Sequence, residues 1–132
     1  MVFEQTVVLH SPFDDALKEV KEALATQGFG TLTEIDVQAT LRAKLGKEMD
    51  RYVIVGACNP HLASRAIDAE PRIGALLPCN VVVREDSSGI VVEAMDPGMM
   101  AGLSGNDALG PIAEEARRLI GNALEKLGAA VG

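Results

Sequence analysis

Residues 52–60 read YVIVGACNP, and residues 74–85 read GALLPCNVVVRE. Each stretch joins a Cys-Asn pair to a nearly continuous apolar run and has a proline beside the pair. Apolar runs of this length are typical of central β-strands. If the two runs pair antiparallel, the first ends at Cys58 where the second begins at Cys79. We therefore expect the only two thiols of the chain to lie close together at one edge of a sheet.

The segments around these runs predict an alternation of strands and helices. Further strands are predicted at residues 2–10 and 29–35, and residues 79–85 and 90–95 form a hairpin around a turn at 86–89. Residues 96–106 are predicted to form a glycine-rich loop. The predicted helices span residues 12–27, with Ser11 as N-cap, then 37–45, 60–69, and a last one that begins between Asn106 and Pro111 and ends near Leu127.

This order predicts an α+β fold. The elements alternate as β-α-β-α-β-α-β-β-α, and the long first and last helices need a sheet face on which to bury their apolar stripes. We therefore predict a mainly antiparallel sheet with the helices packed on one face. A chain of 132 residues fits one ordinary domain, which we expect to span residues 1–132.

The composition argues against several classes of partner. The chain carries a net charge of −7 and only 3 % aromatic residues, whereas nucleic-acid binding relies on cationic and stacking side chains. No apolar run approaches the ~20 residues needed to span a bilayer, and no charged-then-apolar leader opens the sequence. We expect a cytoplasmic protein that contacts neither nucleic acid nor membrane, and whose two cysteines are free thiols.

The two Cys-Asn pairs form the candidate site. Cys58 precedes Asn59, the predicted N-cap of a helix, so a thiolate there would feel the positive helix end. His61 lies in the first turn of that helix and could stabilise the same thiolate. Cys79 would be the second thiol, and the side-chain amides of Asn59 and Asn80 could orient a polar ligand. The candidate ligand-binding set is therefore Cys58, Asn59, His61, Cys79 and Asn80.

Structural roles explain the same residues about as well. Cysteine often serves as a small buried apolar side chain, and an asparagine after it can simply cap a helix or hold a turn. A disulfide between Cys58 and Cys79 would close a loop of ~20 residues and could add roughly 3 kcal/mol. The chain has no Cys-x-x-Cys, which weakens an oxidoreductase interpretation.

A metal site is a weaker candidate. Cys58, Cys79 and His61 form one possible ligand cluster, and Met95, with Met99 and Met100 beyond it, could add soft sulfur that favours Cu(I). Zinc would need four well-placed ligands, and the spacing matches no zinc pattern. Methionines after a strand are more often core or interface side chains.

The stretches TLTEIDVQATLRAKLG, YVIVGACNP and GALLPCNVVVRE together resemble domain of unknown function 302. The similarity extends from Pro12 to the last helix. It implies a fold like that of the TATA-binding protein, β-α-β(4)-α in outline with short inserted helices here, and a homodimer. It supplies no activity, and the shared architecture does not make this chain a DNA-binding protein.

Three functions remain open at this stage. The first is a homodimeric module that binds a small molecule or a soft metal near Cys58, Asn59, Cys79 and Asn80. The second is a thiol-dependent redox protein or sensor, in which Cys58 is the nucleophile and Cys79 the resolving thiol. The third is a structural or interaction protein whose motifs set only turns and a dimer contact. The sequence does not decide whether the protein is an enzyme.

Overall fold

A computed structural model describes residues 5–131, with side-chain environments as far as residue 128. Its five strands form one sheet of order β1-β5-β4-β3-β2, in which every neighbouring pair is antiparallel. Residues 2–4 of the predicted first strand lie outside the described part. The strands are β1 (Gln5–Leu9), β2 (Gly30–Asp36), β3 (Tyr52–Cys58), β4 (Cys79–Asp86) and β5 (Gly89–Ala94).

Two long helices cover one face of this sheet. They are α1 (Phe13–Thr26) and α5 (Gly110–Val131), and they pack against each other. The sequence prediction of an α+β fold with helices against an antiparallel sheet is confirmed. The prediction that Ser11 caps α1 is wrong, because Pro12 keeps an extended ψ of 150° and the helix begins one residue later without a side-chain cap.

Two shorter helices begin at polar side-chain caps, of which the one at Asn59 was predicted. In α2 (Val37–Leu45) the backbone N–H of Ala39 donates to Asp36 Oδ1 at 2.9 Å, and Gly46 ends the helix with a φ of +65°. The helix α3 (Pro60–Ala69) follows β3 directly and is capped by Asn59. With these short helices left out, the order of the long elements is β-α-β(4)-α.

The segment predicted as a glycine-rich loop contains a helix, which corrects that prediction. The helix α4 (Met99–Ser104) begins after a turn in which the backbone N–H of Gly98 donates to Asp96 Oδ1 at 2.8 Å. Met100 is only 4 % exposed, so burial of this side chain fixes the turn on the core. Two 3₁₀ helices, Pro71–Leu76 and Asp107–Leu109, complete the chain connections.

The two faces of the sheet differ. Val55, Val81 and Val92 point toward the helices and are fully buried in an aliphatic core. On the opposite face, Arg84 Nε donates to Glu93 Oε1 at 2.7 Å. Within residues 5–131, none of the helices is long and apolar enough to cross a membrane.

Candidate functional site

Both cysteines lie at one end of the sheet, where β3 ends and β4 begins. Cys79 is paired with Ala57 across the two strands, so Cys58 is next to this pair along β3. Because Ala57 is 1 % exposed, its partner Cys79 also points toward the helices. Both cysteines are free and half-buried, so the structure contains no disulfide between them.

Both cysteine residues border one small pocket, which we call the thiol pocket. Only Cys79 shares the inward face of Ala57, because Cys58 pairs with the exposed Gly30 and its side chain points to the opposite face. The pocket encloses about 30 Å³, room for about two water molecules. Its lining is almost wholly apolar, and α3, α4 and α5 close it from above the sheet. Besides the two cysteines, the wall is formed mainly by Phe29, Leu62, Ala63, Met100, Ile112 and Ala116.

Asn59 holds the helix that covers this pocket. Its Oδ1 accepts the backbone N–H of Leu62 at 3.3 Å, and its Nδ2 donates to the carbonyl oxygen of Gln27 at 3.5 Å. The amide therefore connects α3 to the end of α1. Although Asn59 lines the thiol pocket, both polar ends of its side chain are already used in the fold.

Burial changes the chemistry of one thiol. The pKa of Cys79 rises to about 11, chiefly because burial disfavours the thiolate and also because the nearby Cys58 would add a second negative charge. Cys79 is therefore protonated at neutral pH. A thiol in this state is a poor nucleophile.

Three of the predicted site residues lie outside the thiol pocket. Asn80 pairs with Gly56 and is exposed on the sheet face opposite the helices. His61 is exposed because the buried positions of α3 are Leu62 and Ala66. Met95 follows the last residue of β5 and is absent from the pocket wall. The structure therefore does not bring His61 or Met95 to the two thiols as metal ligands.

Met100 is the pocket residue whose burial the sequence does not predict. The sequence names Met95, Met99 and Met100 as possible soft-sulfur donors and predicts a loop around Met100. Its place in the thiol pocket depends on α4, which the glycine-rich composition of residues 96–106 concealed. The apolar pair Met99-Met100 just after Asp-Pro-Gly was the signal available. Within residues 5–131 no group of three or more His, Cys, Asp or Glu side chains could hold a metal ion.

Residues 5–127 match the family model described as domain of unknown function DUF302. The chain belongs to this family. The family assignment agrees with the resemblance carried by the two Cys-Asn stretches, and its description assigns no activity. No curated protein matches the chain.

A solved structure has the same fold as this DUF302 member. It is the crystal structure of an uncharacterized conserved DUF302 protein from Bacillus stearothermophilus, with 27 % sequence identity and a TM-score of 0.85. The match covers 92 % of this chain and 95 % of that one, so it extends over almost the whole fold.

Proposed function

We propose that this DUF302 protein is a homodimeric, single-domain module that binds a small ligand in the thiol pocket. One observation carries the proposal: two free cysteine residues border the same small apolar pocket beneath α3, and the Cys79 side chain faces it. A reducing cytoplasm is the compartment that suits two unpaired thiols. The pocket has the features of a binding site rather than a reaction centre, because it brings no carboxylate or imidazole to the sulfurs.

The size and chemistry of the pocket limit the guest. A volume of about 30 Å³ lies far below the roughly 300–1,000 Å³ of sites for drug-sized ligands. The guest is therefore a molecule of a few atoms or a single ion. Sulfur donors in an apolar wall favour soft, polarisable guests over hard cations that need oxygen ligands.

The test is native mass spectrometry of freshly purified protein, with and without a reductant. We expect a bound mass that is lost in Cys79→Ala, which removes the thiol on the helix side of the sheet, and in Ala63→Leu, which fills the pocket with added methyl groups. His61→Ala is the matched control, since His61 lies on the same helix but outside the pocket. If the wild type and all three variants retained the bound mass, the ligand would lie outside the thiol pocket. Ligand-free protein in every preparation would overturn the proposal.

A second candidate is a redox pair, favoured by the placement of two free cysteine residues at the border of one pocket. Oxidation would join Cys58 and Cys79 in a disulfide and pass two electrons and two protons to an oxidant such as glutathione disulfide, yielding two glutathione molecules. The raised pKa of Cys79 makes this candidate the weaker one, because exchange requires a thiolate. The intact mass after equilibration with glutathione redox buffers distinguishes the redox pair from the binding module. A loss of two hydrogens at a redox potential like that of the cytoplasm favours the redox pair.

The homodimer is supported by an exposed apolar surface at one edge of the sheet. All seven residues of β2 are exposed, and α2 buries none of its side chains. Leu32, Ile35 and Leu45 are 66 %, 48 % and 73 % exposed, respectively. Two such edges can pair antiparallel around a two-fold axis, which would bury this surface and remove the free strand edge.

Light scattering after size-exclusion chromatography tests the dimer. We expect twice the chain mass of 13.9 kDa for the wild type and a shift toward the monomer in Leu45→Lys. Leu103→Lys is the control, because Leu103 is 62 % exposed on α4, away from β2. A wild-type monomer at micromolar concentration would rule out the dimer and leave the binding proposal to be judged on its own test.

A further inference from the structure

The wall of the thiol pocket offers little to a charged ligand. The Cys79 side chain faces the pocket, and burial raises its pKa to about 11, so it is an uncharged thiol at neutral pH. The side-chain amide of Asn59 is also in the wall, but its two polar ends are used by Leu62 and Gln27. Among the described residues that form the wall, none carries a charged side chain.

Alanines leave the space inside this wall. Ala57, Ala66 and Ala116 are buried and come from three elements, β3, α3 and α5, and Ala63 of α3 lines the same pocket. Protein cores are normally packed densely enough to leave few voids larger than a water molecule. The side chains around such a void lack partner atoms on one side, and a ligand of matching size would supply them. The pocket therefore suits a ligand that is held by close contact.

An ion does not match this wall. Moving an ion out of water is unfavourable unless opposite charges or strong hydrogen bonds replace its hydration shell. A neutral thiol and a thioether supply only weak hydrogen-bonding groups. An apolar molecule, in contrast, leaves water favourably and gains contacts with polarisable side chains such as Met100, which is 4 % exposed in the same wall. The wall therefore selects against charge.

We propose that the ligand of the thiol pocket is an uncharged, apolar molecule of about two or three heavy atoms. This inference rests on the proposed binding function and excludes the single ion that the pocket volume alone would allow. The enclosed volume of about 30 Å³ sets the size of the ligand, and the uncharged wall sets its class. The ligand would lie between Cys79 on β4 and the covering helix α3, beside Met100.

The experiment compares krypton, bromide ion and rubidium ion, which have the same number of electrons but different charges. Krypton is smaller than xenon, which binds in dry apolar cavities of roughly 150 Å³. In methyl NMR spectra of the wild type, we expect krypton to shift the signals of Leu62, Met100 and Ile112, which line the pocket, until they saturate. Bromide and rubidium should shift them no more than potassium chloride does. Ile67 is the internal reference, because it is 46 % exposed on α3 and outside the wall.

A filled pocket should lose this response. Ala63→Leu places added methyl groups in the pocket and should weaken krypton binding by about tenfold or more, which corresponds to about 1.4 kcal/mol. Ala25→Leu is the matched control, because it makes the same substitution on the exposed face of α1, outside the pocket wall. Should Ala63→Leu not fold, the comparison of the three probes in the wild type still decides the point.

Different results separate this inference from the proposed function. If bromide or rubidium shifts the pocket signals as strongly as krypton does, the wall accepts charge and the inference fails. If krypton has no effect while native mass spectra contain a ligand that Cys79→Ala loses, the inference fails and the binding module stands. If every preparation is free of ligand, the proposed function fails on its own test and the inference fails with it, because krypton would then only detect an unfilled void.

Discussion

The two Cys-Asn pairs have the same sequence but different structural roles. Cys58-Asn59 lies where β3 passes into α3, and its asparagine caps the helix. Cys79-Asn80 opens β4, and its asparagine is exposed on the sheet face opposite the helices. Both cysteines line the thiol pocket, but only the first asparagine does.

The backbone that follows each pair accounts for the difference. After Asn59 the chain turns into a helix, so the asparagine faces the unpaired N–H groups of the first turn. After Asn80 the chain continues as a strand, so neighbouring side chains alternate between the two faces. A repeated dipeptide therefore marks the same end of the sheet twice without giving the two cysteines or the two asparagines the same environment.

The largest effect that we predict concerns the thiol of the second pair. Raising the pKa of Cys79 from its ordinary value of 9.0 to about 11 lowers its thiolate population. We expect the native Cys58→Ser protein, in which Cys79 is the only thiol, to react with iodoacetamide at neutral pH at least about 100-fold more slowly than the same protein in denaturant. The rate is followed by intact mass.

Cys79→Ser is the matched control, since it isolates the thiol of the first pair at the helix end. If Cys79 in the folded Cys58→Ser protein reacts within about threefold of its denatured rate, burial does not protect it as the structure implies. That result would also favour the redox candidate over the binding module.

The next effect concerns Gly56, which lies opposite Asn80 and next to the first pair. A Cβ added at Gly56 would collide with Thr33 Oγ1 and lie 2.9 Å from Pro78 Cγ. The ring of Pro78 cannot rotate away, so we expect Gly56→Ala to lower the free energy of unfolding by about 1–3 kcal/mol. Urea titration followed by circular dichroism measures this loss.

Gly30→Ala is the control for backbone and β-propensity effects. Gly30 pairs with Cys58 in the adjacent strand, and a Cβ there would have no neighbour within 4 Å. If the two alanine variants were equally stable, the side chains packed on Gly56 would move aside at little energetic cost. The strand ends that carry the two Cys-Asn pairs would then not be rigidly packed.

The two asparagines should differ by a smaller amount. Asn59→Ala removes the acceptor for the N–H of Leu62 and should cost about 1 kcal/mol in unfolding free energy. Asn80→Ala changes an exposed side chain and should stay within about 0.5 kcal/mol of the wild type. Asn59→Asp should recover most of the loss, because aspartate is as good an N-cap. A larger loss for Asn80→Ala than for Asn59→Ala would reverse the assigned roles.

Much of this arrangement follows from local sequence patterns. The run of three valines in β4 and the cap at Asn59 are short-range signals, and both are present in the structure. The antiparallel pairing of β3 with β4, inferred from two apolar runs, is confirmed. The cap was predictable because it depends on residues only a few positions apart, whereas the strand pairing was inferred from two long apolar runs that are well separated along the chain.

The remaining features depend on tertiary contacts. The helix α4 could not be inferred from residues 96–106, because their glycine content favours a loop. The helix forms because it buries the Met100 side chain against the core. The separation of Asn80, His61 and Met95 from the thiol pocket follows from side-chain direction, which the sequence gives only once the strand and helix faces are known. The candidate site at the two cysteines therefore stays a prediction, and the burial of Met100 in the same pocket wall depends on a helix that the sequence does not reveal.

The smallest effect compares the two ends of α3. Asn59 caps its start with a neutral amide, whereas Glu70 follows its end and accepts Arg72 Nη2 at 2.8 Å and Nε at 3.0 Å. The hydrogen bonds from Arg72 lower the pKa of Glu70 from 4.5 to about 2. A lowered carboxyl pKa stabilises the fold above pH 4.5, and this contribution disappears as the pH falls toward 2. The effect is modest because Arg72 is 84 % exposed and solvent screens the pair.

Glu70→Gln should therefore be less stable than the wild type at pH 7, and the gap should close between about pH 4.5 and pH 2. Chemical denaturation of both proteins across this range measures the gap. Asn59→Ala serves as the reference, because its lost cap bond involves no titrating group and its deficit should not change with pH. If the gap for Glu70→Gln stays constant down to pH 2.5, the ion pair does not stabilise the end of α3. The two ends of the helix over the thiol pocket would then be held by neutral hydrogen bonds alone.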